Sequence, residues 1–599
     1  MRFTTRPEIQ GDFGVCASTH WIASAVGMGV LERGGNAFDA AVAMGFVLQV
    51  VEPHLNGPGG DMPALIHSAR TGRTEVVCAQ GVAPAGATIE AYRARGLERV
   101  PGSGLLATVV PGAFDGWMLM LRDHGTITVA EALAPAIHYA SGGHPALPGV
   151  ARTIEGLAEF LAAEWPTSAE VWLPGGRAPR PGERFRNPAL AATWRRVVEE
   201  AEAAARSGGG REAGVEAARR AFYEGFVAEA VDRYFREAEI MDASGRRNGG
   251  VLRAEDMARW RASYEEPAAL EHAGWRVMKT GPWGQGPMLL QALAILEGLD
   301  LAAMDPEGPD FVHAAIEAIK LAAADREAFY GDPDHSEIPL ETLLSAGYAA
   351  ERRALIGPEA SREQRPGRLP GFERLAEAAV ARAAREGAAA GAGAGEPTMA
   401  HLSERRGDTV HLDVIDREGN MVSATPSGGW LQSSPCVPGL GFPLNSRAQM
   451  FWLDEGLPTS LAPGRRPRTT LSPSMARRED GAMMAFGTPG GDQQDQWQLV
   501  FFLRHVHHGL NLQEAIDAPL FHSMHFQSSF DPRRAEPGRM MAEPGLGEAT
   551  IEALRARGHE VEVAEPWTVG RLTAARREAD GGLRAAATPR LMQAYAVGR

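Results

Sequence analysis

Gly407-Asp408-Thr409-Val410-His411-Leu412-Asp413-Val414-Ile415-Asp416 is followed by Arg417-Glu418-Gly419-Asn420 and then by Met421 to Ser427. Apolar and polar residues alternate on both sides of the Glu-Gly-Asn turn, the pattern of a β-hairpin with one buried face. Upstream, Gly387 to Gly395 reads Gly-Ala-Ala-Ala-Gly-Ala-Gly-Ala-Gly, a composition that makes a flexible tether. A tether thus delivers a hydroxyl-bearing residue to the start of a core strand. The Asp408–Thr409 peptide bond reads as one set up to be cut, leaving Thr409 as a new N-terminus.

Outward from that stretch, 599 residues with 44% hydrophobic content suffice for a sizeable core. A formal net charge of −15 excludes the clustered cationic surface of a nucleic-acid binder. Lys279 and Lys320 are the only lysines, which leaves little room for Schiff-base chemistry. Cys16, Cys78 and Cys436 are far apart and form no C-x-x-C pair, so neither a disulfide framework nor a zinc ribbon follows. No apolar run approaches the ~20 residues of a membrane helix, and the opening residues lack a secretory h-region. The expectation is a cytoplasmic enzyme without cofactor, metal, nucleic-acid partner or membrane contact.

Several elements can be read directly. A helix capped by Thr19 or Ser24 should run to Leu31, and the apolar stretch Ala37 to Val51 should form a second, buried helix. Met62–His67 and Glu75–Cys78 read as paired strands, and residues 110–270 as mainly helical. Leu444–Leu453 and Met483–Gly487 read as strands, and Gln496–His508 as a helix. His505, His507 and His508 fit a polar helix end better than a metal site, and His522 and His525 lack spaced ligand partners. The glycines near Gly27 do not have dinucleotide or P-loop spacing.

A nucleophile that attacks an amide needs a base, a hydrogen-bond donor tuning its oxygen, and backbone N–H groups for the oxyanion. A freed α-amino group, with a pKa of ~7.7–8, can be that base at neutral pH. Hydroxyls and glycines follow Thr409 in Ser427-Gly428-Gly429, Thr469-Thr470 and Gly487-Thr488-Pro489-Gly490-Gly491.

On these residues the chain resembles the γ-glutamyltranspeptidase (glutathione hydrolase) family of N-terminal-nucleophile hydrolases. The matching stretches include Gly34–Val42, Glu52-Pro53-His54, Pro111-Gly112, Phe222–Gly225, Ala324-Asp325-Arg326 and Tyr330–Pro333. Arg466-Pro467, Ser472-Pro473 and Gly487–Gly491 continue the match. The resemblance implies an α+β fold, a four-layer αββα sandwich built from a self-cleaved precursor. Residues 1–408 would be the large subunit, with a linker at about 376–408, and 409–599 the small one. It implies cleavage between Asp408 and Thr409, with Thr409 as nucleophile and Ser427 bonded to it. Thr469 and Thr470 would contact substrate, and Gly490 and Gly491 would hold the oxyanion.

Departures from the family pattern point away from glutathione. Gln80 stands where an arginine grips the glutamyl carboxylate, Gly429 replaces an asparagine, Met450 replaces an acidic residue that holds the α-ammonium, and Arg447 replaces its amide-bearing neighbour. Thr425–Trp430 and Pro438–Leu444 look more like the oxamate amidohydrolase branch. Arg447 then pairs with a substrate carboxylate or with a structural acid. The substrate-binding candidates are Thr469, Thr470, Arg447, Gln80 and Gly429, and the expected reaction is hydrolysis of a small acidic amide. Two alternatives stay open: γ-glutamyl transfer or glutathione hydrolysis, and a non-catalytic binding protein on the same fold. Beyond the substrate and the two fragments, homodimerisation is an open question.

Overall fold

The computed structural model describes residues 3–386 and 409–599. The Gly387–Gly395 tether and Asp408 lie outside the described residues. Fourteen strands build two principal sheets. They are β1 (Ile9–Gly11), β2 (Gly14–Ser18), β3 (Ala64–Ser68), β4 (Arg73–Cys78), β5 (Ser263–Glu265), β6 (Ala268–His272) and β7 (Trp275–Lys279). The others are β8 (Leu412–Asp416), β9 (Met421–Ala424), β10 (Ser474–Arg478), β11 (Met483–Gly487), β12 (Thr573–Arg577), β13 (Leu583–Ala587) and β14 (Tyr595–Gly598). One sheet has the order β14-β2-β8-β9-β3-β4-β5, the other β1-β13-β12-β11-β10-β7-β6.

Helices cover the outer faces. On the first sheet lie α1 (Trp21–Glu32), α2 (Ala37–Val51), α3 (Ala113–His124), α4 (Val129–Gly142) and α5 (Pro188–Ala204). On the second lie α6 (Pro287–Leu296) and α7 (Pro309–Phe329), with α8 (Glu373–Glu386) against α7 and α9 (Gln494–His508) beyond. Val15, Leu65, Ile415, Met421, Met475, Ala485 and Ala575 fill the gap between the sheets. The fold is therefore the α+β, αββα sandwich.

The hairpin forms where the sequence places it, but both of its faces are buried. Leu412 and Val414 point into the helical layer, whereas Ile415 points between the sheets. Alternation puts Thr409, His411 and Asp413 on that same inner side. In this strand the alternation separates two buried environments, one apolar and one polar, rather than core from solvent.

α2 spans the expected residues because Asn36 and Asp39 form a capping box at its start. Asp416, at the end of β8, accepts a hydrogen bond from Ala37 N at 2.9 Å, tying hairpin to helix. Elsewhere local reading misplaces elements. His20 caps α1, its ring accepting from Ile22 N. Leu444–Leu453 carries a short 3-10 turn, Arg447–Met450, in place of a strand. Part of the expected linker is helical, since α8 runs to Glu386 and its buried Ala376 and Ala379 join the second core.

Candidate active site

Thr409 is fully buried just before β8, in an isolated antiparallel bridge to Ser427. Val410 N donates to Pro426 O at 3.1 Å, and Thr409 Oγ1 donates to Ser427 Oγ at 3.2 Å. Ser427 is held in turn by Asp61, through Ser427 N to Asp61 O at 3.0 Å and Asp61 N to Ser427 O at 2.9 Å. This close approach needs glycine: a Cβ at Gly60 would lie 2.1 Å from Ser427 O. Gly429 belongs to the same contact. Its φ of +61° and the 2.7 Å from its Cβ position to Gly60 N make it a backbone spacer.

β11 ends at Gly487, and Gly490 and Gly491 lead into α9 through a 3-10 turn. A Cβ at Gly490 would lie 2.2 Å from the Trp497 ring. The first N–H groups of such a turn lack helical partners and face an incoming negative charge. Gln285 Nε2 donates to Gly491 O at 3.1 Å, and Arg326 donates to Gln285 Oε1 at 2.6 Å and Asp492 Oδ1 at 2.7 Å. The peptide plane at Gly491 is thereby pinned from behind.

His411 joins the two halves. A Cβ on Gly487 would fall 2.3 Å from His411 Cε1, so the imidazole fills the space a side chain there would need. Its Nδ1 meets Thr425 Oγ1 at 2.8 Å and its Nε2 meets Asp413 Oδ1 at 3.0 Å. Asp413 Oδ2 accepts from Thr573 Oγ1 at 2.7 Å. This polar chain crosses from the sheet bearing Thr409 to the sheet bearing Gly490 and is wholly buried.

The other expected residues line one rim. Thr469 N donates to Trp283 O at 2.9 Å. The Thr470 hydroxyl is buried without a hydrogen-bond partner among the described residues. Behind them Lys279 and Asp495 pair at 2.9 Å, burial pushing the lysine down and the aspartate up. Gln80 is buried after β4 and faces the Asp61 carboxylate, but its amide closes no hydrogen bond of normal geometry. Arg447 Nε donates to both Asp61 oxygens at 3.0 Å, with the guanidinium 5.1 Å from the Trp430 ring centroid. Of its two sequence readings, this geometry is the ion pair with a structural acid. Asp61, like the His411–Asp413 pair, had no motif to reveal it; inner-face alternation along β8 was the available signal for the latter.

A second rim gathers residues to which sequence reading assigned no site role. Thr19 N donates to His411 O at 3.1 Å, and Thr19 Oγ1 donates to Glu52 Oε2 at 2.6 Å. Gln593 Nε2 donates to the other Glu52 oxygen. Burial pushes the Glu52 carboxyl up to about 7. Arg571 N donates to Thr488 Oγ1 at 3.2 Å, next to the Gly490 turn.

For a metal, His313, Glu317 and His559 bring ligand atoms within 4.8 Å of one another. Glu317 is already held by Lys320 at 2.6 Å and Arg365 at 3.0 Å, so cations of the protein occupy the acid a metal would use.

The γ-glutamyltranspeptidase family model matches residues 23–598. The chain belongs to the γ-glutamyltranspeptidase family. Among its relatives, the oxamate amidohydrolase proenzyme of Klebsiella pneumoniae is 33% identical over 588 residues, 96% of this chain and 97% of that protein. The solved structure of LmbA2991HD is 54% identical, with TM-score 0.93 and 100% of both chains covered. The cephalosporin acylase of Bacillus halodurans is 28% identical, with TM-score 0.81, covering 100% of this chain and 97% of that one. As a γ-glutamyltranspeptidase-family protein, the chain is an amide hydrolase or acylase of the N-terminal-nucleophile type. Among the described residues no helix is long and apolar enough to cross a membrane.

Proposed function

We propose that the chain is a self-cleaving amide hydrolase whose nucleophile is Thr409 and whose substrate is a small amide bearing a carboxylate. The observation that carries the reading is the Thr409 Oγ1–Ser427 Oγ hydrogen bond, on an inner strand face that His411 packs against the β11–Gly490 segment.

Hydrolysis of the Asp408–Thr409 peptide bond frees the Thr409 amine. That amine takes the Oγ1 proton as the oxygen attacks the substrate carbonyl. Ser427 steadies Oγ1, while the Gly490 and Gly491 N–H groups hold the tetrahedral oxyanion. The Thr409 ammonium returns the proton to the leaving amine, giving an acyl-threonine. Water, deprotonated by the same amine, then releases the acid.

A small acid is favoured over a glutamyl group because Gln80 and Met450 carry no charge, and Gly429 no amide, where the family pattern has them. The oxamate amidohydrolase relative supports the same choice.

Thr409→Ala is expected to leave a full-length chain with no amidase activity; mass spectrometry showing that variant still cut after Asp408 would reject the nucleophile. Turnover of γ-glutamyl-p-nitroanilide as fast as oxamate would reject the small-acid substrate.

A further inference from the structure

The strand orders give the nucleophile two walls. Gln80, after β4, and Thr469 and Thr470, before β10, make the first, on one side of β8 and β11. Thr19, after β2, and Arg571, before β12, make the second, on the other side.

The first wall and the oxyanion turn both lie beyond the end of a ladder. β10 and β11 pair antiparallel, and their register ends with Ser474 opposite Phe486. Thr469 and Thr470 precede that last pair, and Gly490 and Gly491 follow it, so the ladder does not set their separation. Side chains do so instead. Nearest the ladder, Ser472 N donates to Gln494 Oε1 at 3.1 Å, and Ser472 Oγ donates to Asp495 Oδ1 at 2.7 Å.

Farther out, a closed ring of five residues joins the two segments. Arg468 stands immediately before Thr469, and Asp492 immediately after Gly491. Glu327 Oε1 accepts from Arg468 Nη2 at 2.7 Å and from Arg326 Nη2 at 2.9 Å. Arg326 Nη1 donates to Asp492 Oδ1 at 2.7 Å. Ser529 Oγ donates to the same Asp492 oxygen at 2.6 Å and accepts from Arg468 Nη2 at 3.1 Å, which closes the ring. All five residues are more than nine-tenths buried. Burial alone would raise the Glu327 carboxyl, but Arg468 and Arg326 outweigh it and hold it down to about 2. Two guanidiniums thus meet two carboxylates inside the ring, with the remaining lone pairs taken up by Ser529, the condition under which buried charge is tolerated.

We infer that Glu327 is a positioning residue for the reaction: by gripping Arg468 and Arg326 at once, it fixes the oxyanion turn against Thr469 and Thr470. The inference rests on the acyl-transfer reading above and adds a residue of the large fragment that acts through its two arginines. Oxyanion contacts strengthen only as charge develops, so loosening the ring should lower kcat more than it raises KM.

Glu327→Gln alone would strand two guanidiniums, so the test combines it with Arg468→Met, which removes one charge of each sign. Replacing a buried ion pair by uncharged groups is close to neutral for stability. The self-cleaved double variant should melt near the wild-type temperature, show little change in KM for oxamate, and lose about 100-fold in kcat, the scale of a small misplacement. A second arm uses p-nitrophenyl acetate, an ester without a carboxylate that needs the same oxyanion turn. Its turnover above the Thr409→Ala background should fall by a similar factor. A wild-type kcat in the double variant, or a loss confined to KM, overturns the inference. If wild type turns over the ester but not oxamate, the small-acid reading fails and the ester arm alone decides the ring. If it turns over neither, the reaction fails and the inference with it. Should the double variant not yield soluble, cleaved chain, Arg468→Lys decides, because an ammonium keeps the charge but not the planar fork. A lowered kcat at an unchanged melting temperature then supports the ring, and an unchanged kcat overturns it.

Discussion

The two walls flanking Thr409 handle charge in opposite ways. On one, Asp61 and Arg447 are both buried and bonded to each other, beside the buried, neutral Gln80, Thr469 and Thr470. On the other, Glu52 takes its hydrogen bonds from neutral Thr19 and Gln593, and Arg571 sits among groups whose charge burial has suppressed. The arginine on the first wall is bonded to an acid of the scaffold, while the one on the second is anchored through its backbone N–H on Thr488 Oγ1.

The largest expected consequence is on the scaffold wall. Arg447→Gln leaves a buried carboxylate without its partner and should cost roughly 3–5 kcal/mol of stability. The sign of its pH dependence is fixed. Burial already raises the Asp61 pKa, and without Arg447 it rises further, so the penalty is small near pH 4 and grows as pH climbs past the unfolded value. Denaturation at pH 5 and pH 8 measures this; an equal loss at both would break the contrast between the walls.

Between the walls, Asp413→Asn should lower kcat about 10- to 100-fold. Asparagine cannot accept from both His411 and Thr573 as the carboxylate does, so the imidazole must change tautomer or lose a bond. Slower self-cleavage measured on a gel, with an unchanged melting temperature, would separate positioning from collapse.

The smallest effect sharpens the opposite wall. Glu52, pushed up to about 7, is neutral below that pH; above it the ionised acid repels an incoming carboxylate. Arg571, His54, Thr19 and Gln593 are the groups that face it. KM for oxamate should rise several-fold from pH 6 to pH 8 in wild type and stay flat in Glu52→Gln. A matching rise in the variant would show that Glu52 does not act on the substrate.

Much of this molecule was legible in one dimension. The hairpin around Glu418-Gly419-Asn420, the α2 helix behind Asn36 and the glycine turn at Gly490 announce themselves through periodicity, a capping box and residues without a Cβ. Those signals act over a few residues, and local physics suffices for them. The misplaced elements failed for an equally physical reason. Leu444–Leu453 has strand-like composition, but Asn445 is drawn to Gly59 and Val109, at 2.9 and 3.1 Å, and the chain turns there.

By itself the sequence determined the local frame of the site: a hydroxyl at the start of a core strand, a bonded hydroxyl after its hairpin partner, and a glycine turn able to face an anion. Tertiary structure alone decided which charged groups meet. Arg447 and Asp61 stand 386 positions apart, and Thr573 and Asp413 stand 160 apart. Such pairings are set by how two sheets stack and which faces they bury, and no periodicity along the chain encodes that.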